Sequence, residues 1–282
     1  MRAASVKAAI RIVVQGLKDR AFGAVSLPRS VACAAMAEAA KGVWRGCVAE
    51  FIGTFALCFF GAGSMALVAS QGSEVGPLVG LIVVALGHSL TLLVFVNATY
   101  PVSGAQLNPA VSIALSVGMG QPWRTTSLYI LSQLLAAASG IGMLVLLFKG
   151  TAYAEALEAA RHGATLGALA VGESRSVLGL LGLEALQAFA LMFVILTVIV
   201  DRRGKATGMS PGFAIAGVVG ACIVAFGPVT GASMNPARSF GSALYGHWEM
   251  HSAYWVGPIA GALLAAIVYR VCWVVPNAKE CD

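Results

Sequence analysis

The sequence predicts an all-α membrane protein: six transmembrane helices plus two re-entrant half-helices, arranged as an inverted repeat. Three observations carry that prediction. The chain is 59% hydrophobic and only 11% charged, where a soluble domain carries about 25% charged residues. Its apolar residues gather into runs of roughly 20, the length that crosses a bilayer. And the tripeptide Asn-Pro-Ala occurs twice, at Asn108-Pro109-Ala110 and Asn235-Pro236-Ala237. Asn is a preferred helix N-cap and Pro suits the first helical turn, so each tripeptide starts a helix. The apolar stretches that follow are too short to span a bilayer alone. Two half-helices that start at one depth would bring two Asn side chains face to face.

Residues 1–42 form a basic N-terminal extension. Arg2, Lys7, Arg11, Lys18, Arg20 and Arg29 stand there against only Asp19 and Glu38. They read first as a solvated cytoplasmic tail, with a surface amphipathic helix or a targeting segment as the other readings. The first span runs from about Val43 to Ala69 and contains Glu50. A carboxylate at that depth has to face the protein interior. The second span, about Pro77 to Ala98, contains His88, and the first half-helix covers about Asn108 to Val117. The third span is about Thr125 to Phe148.

A mixed-charge connection, Lys149 to Ser176, joins the halves. The fourth span, about Val177 to Val200, carries Glu184, and the fifth, about Pro211 to Phe226, is rich in Gly and Ala. The second half-helix begins at Asn235. The sixth span is about Ala253 to Val275, with Tyr254 and Trp255 at its start as interfacial anchors. Residues 43–275 thus form one domain of two repeats, 43–148 and 177–275, and residues 276–282 a cytoplasmic tail. Each repeat holds three spans, an odd number, so the second enters the membrane from the opposite face and the two half-helices meet near the midplane. Gly and Ala at the crossings let helices approach closely.

The net charge of +6 reflects topology rather than nucleic acid. With both termini inside, the cytoplasmic segments hold 14 of the 18 Lys and Arg residues, leaving Lys149, Arg161, Arg175 and Arg238 outside. The six cysteines, at 33, 47, 58, 222, 272 and 281, lack metal-ligand spacing and read as small hydrophobes; Cys222 faces either a pore or a neighbouring helix. Neither a metal nor another cofactor is expected, and no nucleophile or phosphate loop suggests an enzyme.

Broken backbone at membrane depth is tolerated only where it is buried or lines a water-filled cavity. The N-termini of two half-helices carry partial positive charge, which opposes a cation or hydronium and leaves neutral molecules unaffected. Asn108 and Asn235 offer amide N–H donors to a passing oxygen. A water held by both has its oxygen fixed and its hydrogens turned away, which interrupts a proton wire.

The doubled Asn-Pro-Ala, the run Asn-Pro-Ala-Arg-Ser-Phe-Gly at 235–241, the run Ala-Glu-Phe-Ile-Gly-Thr-Phe at 49–55 and the six-span repeat closely resemble the aquaporin (major intrinsic protein) family. The resemblance implies the hourglass fold, a pore in each protomer, a homotetramer in the lipid bilayer, and water and small neutral solutes as permeants. It places the narrowest constriction at the positions matching His88, Ile223, Ala232 and Arg238. Arg238 would repel cations and donate hydrogen bonds, His88 would add a donor, Ile223 an apolar wall, and Ala232 would widen the ring or free a carbonyl. The quartet resembles the tonoplast-intrinsic and ammonia-permeating aquaporins, which implies water, ammonia and hydrogen peroxide as permeants, with protons and ions excluded.

A glycerol or urea facilitator is the alternative, but such facilitators usually have Asp where this chain has Ser239, and Ala243, Tyr254 and Trp255 match the water-channel pattern. Gln106 departs from the His that many members carry there, so no His-based gating is assumed on the inner side. Glu50 and Glu184 are expected to support the re-entrant loops. Their rival role, with His88, is proton carriage in a secondary transporter. A closed-pore junctional protein is a further rival, against which the small Ala232 argues. The membrane is expected to be the plasma (inner) membrane, with an organellar membrane as the alternative.

Overall fold

The computed structural model describes residues 29–71, 74–151, 176–201, 203–204, 207–246, 248 and 250–273. Residues 1–28 of the basic extension, most of the 149–176 connection with His162, and His247, Cys281 and the 276–282 tail lie outside the described residues, as do the side chains of 29–41. The chain divides into two units, Met1–Arg45 and Gly46–Asp282. All contacts given below lie within the second.

Among the described residues, eight α-helices follow in order: α1 Arg29–Ser70, α2 Pro77–Ser103, α3 Pro109–Met119, α4 Trp123–Leu147, α5 Val177–Ile195, α6 Pro211–Thr230, α7 Pro236–Leu244 and α8 Ala253–Val268. α5 and α8 each run on into a π-helical turn, Leu196–Val200 and Tyr269–Trp273. Six segments are long and apolar enough to cross a membrane: Gly42–Ser70, α2, α4, Val177–Val200, α6 and Ala253–Trp273. α3 and α7, of 11 and 9 residues, are the half-helices. The outward faces are themselves apolar, with Leu178 79% and Leu78 76% exposed, as expected of surfaces solvated by hydrocarbon rather than water.

α2 and α6 run further than the hydrophobic pattern suggests. Both continue through a proline, Pro101 and Pro228, and stop at a glycine in the left-handed region, Gly104 (φ 84°) and Gly231 (φ 80°). A proline this near the end removes a single hydrogen bond of the last turns, so it bends the helix without ending it. The glycine then reverses the chain cheaply at the C-cap. Tyr254, expected as an interfacial anchor, instead points inward. It is 2% exposed, and its hydroxyl donates to the Thr230 carbonyl at 2.8 Å, a better-satisfied place for a phenol than a mixed interface. Trp255 stays half-buried and donates its indole N–H to His251 Nε2 at 2.9 Å.

Small residues set the helix crossings. A Cβ on Gly140 of α4 would lie 2.9 Å from the Phe55 carbonyl oxygen of α1. One on Gly241 of α7 would lie 2.8 Å from the Ala137 oxygen of α4. Gly257 and Gly261 of α8 pack on the α5 backbone, at Leu181 and Ala185, and a Cβ on Gly261 would overlap the Ala185 carbonyl outright. Just beyond the π-helical turn that continues α5, Asp201 accepts from the Arg203 side chain at 2.6 Å. That hydrogen bond holds the Asp201 carboxyl down at about 2.

The closest of these contacts yields the first prediction. Gly261→Ala is expected to destabilise the fold by about 1–3 kcal/mol, the usual range for overpacking, with a thermal unfolding midpoint in detergent several degrees lower. Gly182→Ala, where no atom lies within 4 Å of the added methyl, is expected to leave it in place.

Candidate functional site

The two re-entrant loops, Gly104 to Asn108 and Gly231 to Asn235, have matching backbones. Each begins on its left-handed glycine and then places two larger residues at positive φ: Ala105 (49°) and Leu107 (50°) in one, Ala232 (44°) and Met234 (53°) in the other. Left-handed backbone costs a non-glycine residue roughly 1–2 kcal/mol, so these loops persist only because their surroundings over-determine them.

Glu50 and Glu184 supply that constraint. Both are fully buried. Glu50 Oε1 accepts from the Gln106 N–H (2.9 Å) and the Ser103 hydroxyl (2.6 Å), and Oε2 accepts from the Leu107 N–H (2.6 Å) and Gln133 Nε2 (2.8 Å). Glu184 repeats the pattern, with Oε1 accepting from the Ser233 N–H at 3.0 Å and Oε2 from the Met234 N–H at 2.7 Å. Each carboxylate thus grips two successive backbone N–H groups just before an Asn. Gln133, which completes the Glu50 set, was not singled out from the sequence, although a Gln inside an apolar span carries the same signal as Glu50.

Asn108 and Asn235 are N-caps by their oxygens. Asn108 Oδ1 accepts from the Ala110 N–H at 2.9 Å, and Asn235 Oδ1 from the Ala237 N–H at 3.0 Å. Their amide nitrogens cross over: Asn108 Nδ2 donates to the Met234 carbonyl and Asn235 Nδ2 to the Leu107 carbonyl, both at 2.8 Å. An amide carries two N–H bonds. Each Asn therefore spends one on the opposite loop and keeps one for a ligand.

The two Asn side chains, His88, Ala232 and Arg238 line one cavity of about 40 Å³. At ~10–15 Å³ per water that is room for about three water molecules. Its wall is two-sided. The loops give it polar atoms, while Leu92, Val96, Leu191, Ile195, Ile215 and Val219 give it an apolar face. Gln106 also lines it, its side-chain amide paired with that of Gln121.

Arg238 is 7% exposed and reaches across the cavity. Its Nε donates to His88 Nε2 at 3.2 Å, its Nη1 to the Gly231 and Ala232 carbonyls at 3.1 and 3.3 Å, and its Nη2 to Met65 Sδ at 3.9 Å. His88 Nδ1 lies 2.9 Å from the Val84 carbonyl. With a carbonyl at Nδ1 and a donor at Nε2, the hydrogen-bond network assigns the ring proton to Nδ1. Both ring nitrogens are then engaged, so His88 turns an acceptor toward Arg238 rather than the further donor that the sequence suggested. The ring is backed by Gly61, where a Cβ would lie 2.6 Å from Nε2.

Ile223 is not among the residues that line this 40 Å³ cavity. It is buried, 2% exposed, in the main apolar cluster together with Cys222. It follows Ile215 and Val219 at the i, i+4, i+8 spacing of one helical face, one turn beyond the last α6 residue that lines the cavity. Cys47, Cys58, Cys222 and Cys272 are free thiols. Among the described residues, no three His, Cys, Asp or Glu side chains gather in a way that could hold a metal.

Residues 37–269 match the family model "Major intrinsic protein". Among named relatives, the chain is 41% identical over 243 residues to aquaporin TIP4-4 of Zea mays, covering 85% of this chain and 90% of that protein. It is 36% identical over 232 residues to aquaporin TIP1-2 of Zea mays, with 82% and 86% covered. Among solved structures it is similar to the aquaglyceroporin from Plasmodium falciparum, with a TM-score of 0.65 and 26% identity over 82% of this chain and 96% of that one.

The paired carboxylates give a prediction in which each half checks the other. Glu184→Ala leaves the Ser233 and Met234 N–H groups buried without an acceptor, a loss of about 1–3 kcal/mol for each. Glu50→Ala does the same at Gln106 and Leu107. Either variant is expected to lower the thermal midpoint in detergent, by size-exclusion chromatography after heating, more than Gly261→Ala does. An unchanged midpoint would remove the support role.

Proposed function

We propose that this chain, which belongs to the major intrinsic protein (aquaporin) family, is a passive transmembrane channel for water that also passes ammonia and hydrogen peroxide and excludes protons and ions. The observation that carries this is the crossed pair Asn108–Met234 and Asn235–Leu107 in the middle of a water-sized cavity. Each Asn offers its remaining N–H to the oxygen of a passing molecule. The N-termini of α3 and α7, each carrying roughly half a positive charge, meet at the same place. A water in that field points its oxygen at the two Asn residues and has no hydrogen free to continue a proton chain in both directions. A cation meets the two helix ends and then the Arg238 guanidinium.

Arg238, His88, Ala232 and Ile223 form the constriction, with Ile223 one helical turn beyond Val219 on the α6 face that lines the cavity. With the His88 nitrogens engaged by Val84 and Arg238, permeants are sorted by size and by the donors of Arg238. Glycerol is disfavoured by that Arg238–His88 approach. Glu50 and Glu184 hold the loops and do not carry protons: their oxygens already accept backbone N–H groups, and neither lines the cavity. The functional unit is a homotetramer of 43–275 domains, with residues 1–42 and 276–282 as cytoplasmic appendages and both termini in the cytoplasm.

Stopped-flow light scattering on proteoliposomes tests the permeants. Fast water flux together with ammonia flux, read with an internal pH dye, and no proton leak is the expected result; flux equal to empty liposomes would overturn the channel reading. Arg238→Ala is expected to raise urea flux relative to water by about tenfold, the equivalent of ~1.4 kcal/mol, from the loss of the charge at the constriction. A fluorescent fusion decides the membrane between the plasma membrane and an internal one, the latter favoured by similarity to the TIP aquaporins.

A further inference from the structure

We propose that Met65, outside the expected quartet, is a specificity-determining residue of the constriction that acts through its thioether sulfur. The inference rests on Arg238 and His88 being that constriction.

The argument begins on one face of α1. Gly61 and Met65 are four residues apart, so their side chains lie over one another on the same helical face. Gly61 backs the His88 ring closely enough that a Cβ would collide with it. One turn along, Met65 Sδ accepts from Arg238 Nη2 at 3.9 Å. A single face of α1 therefore stands behind both polar members of the constriction. Met65 is partly buried and packs against the small apolar cluster of Cys58, Ala62, Ala66 and Ala237. Ala237 is the neighbour of Arg238 itself.

The guanidinium is also held by His88 at Nε and by the Gly231 and Ala232 carbonyls at Nη1. Those contacts fix one edge of the planar group. Met65 engages Nη2 on the α1 side, and so bears on how the plane tilts between His88 and α1. A thioether is a weak acceptor, which suits a positioning role: it biases the guanidinium without taking it out of the pathway. A shorter side chain opens space on the α1 side, and the guanidinium can follow it away from His88, widening the gap that a permeant must pass.

The test is a series at this one position, read as the ratio of urea to water permeability in proteoliposomes and normalised to incorporated protein. Met65→Leu keeps the bulk and removes the acceptor; it is expected to raise the ratio about twofold to fivefold, the size of a weak hydrogen bond. Met65→Ala, which also removes the bulk, is expected to raise it further. Met65→Gln restores an acceptor at similar reach and is expected to return the ratio to that of the unaltered protein. A Leu variant indistinguishable from the unaltered protein overturns the inference, whether Ala changes the ratio, as bulk alone would do, or leaves it. Arg238→Ala separates the two levels. If it too leaves the ratio unchanged, the constriction reading has failed; if it shifts the ratio while Met65→Leu does not, only the role of Met65 has failed.

Discussion

The structure depends on two carboxylates buried inside the membrane-spanning part of the protein. A lone charge at that depth is expensive, and each re-entrant loop is strained, with two non-glycine residues in the left-handed region. Neither would persist alone. Together they stabilise each other: Glu50 and Glu184 each receive two backbone N–H groups in succession, which satisfies the carboxylate and locks the twisted backbone. Charge-assisted hydrogen bonds of this kind are about twice as strong as neutral ones. The loops then present their carbonyls and Asn caps in a fixed geometry, and the cavity follows from that geometry.

Much of this was legible in the sequence because the membrane removes alternatives. Spans have to be apolar and about 20 residues long, an odd number per repeat forces inversion, and a carboxylate inside a span has to find partners. The doubled Asn-Pro-Ala places two caps, and Pro109 and Pro236 sit at the first helical position of α3 and α7 as the rule for N1 prolines requires. Even the pairing of Glu50 with the first loop and Glu184 with the second could be anticipated from their matched places in the repeat.

What the sequence hid is tertiary. Nothing local distinguishes Gly61 from the other described glycines, yet among them it is the one against which the His88 ring packs. Met65 looks like one more apolar residue of a span until the reach of Arg238 is known. α2 and α6 run past their apolar stretches because Pro101 and Pro228, lying in the last turns, only bend the helix. Tyr254 was misplaced because aromatic residues at a span's start suggest the interface, and the buried Thr230 carbonyl that claims it lies 24 residues away in the chain.

The crossed amides carry a mechanical consequence. Asn108 belongs to the loop of the first repeat and donates to the second; Asn235 belongs to the second and donates to the first. Inverted repeats elsewhere serve machines whose halves rock against each other, exposing a midplane site to one side and then the other. Here the midplane is a seam with a stitch in each direction. Sliding one half past the other would tear both stitches at once. The same symmetry that gives a transporter its hinge gives this protein a rivet, and the centre of the molecule is fixed while its contents move.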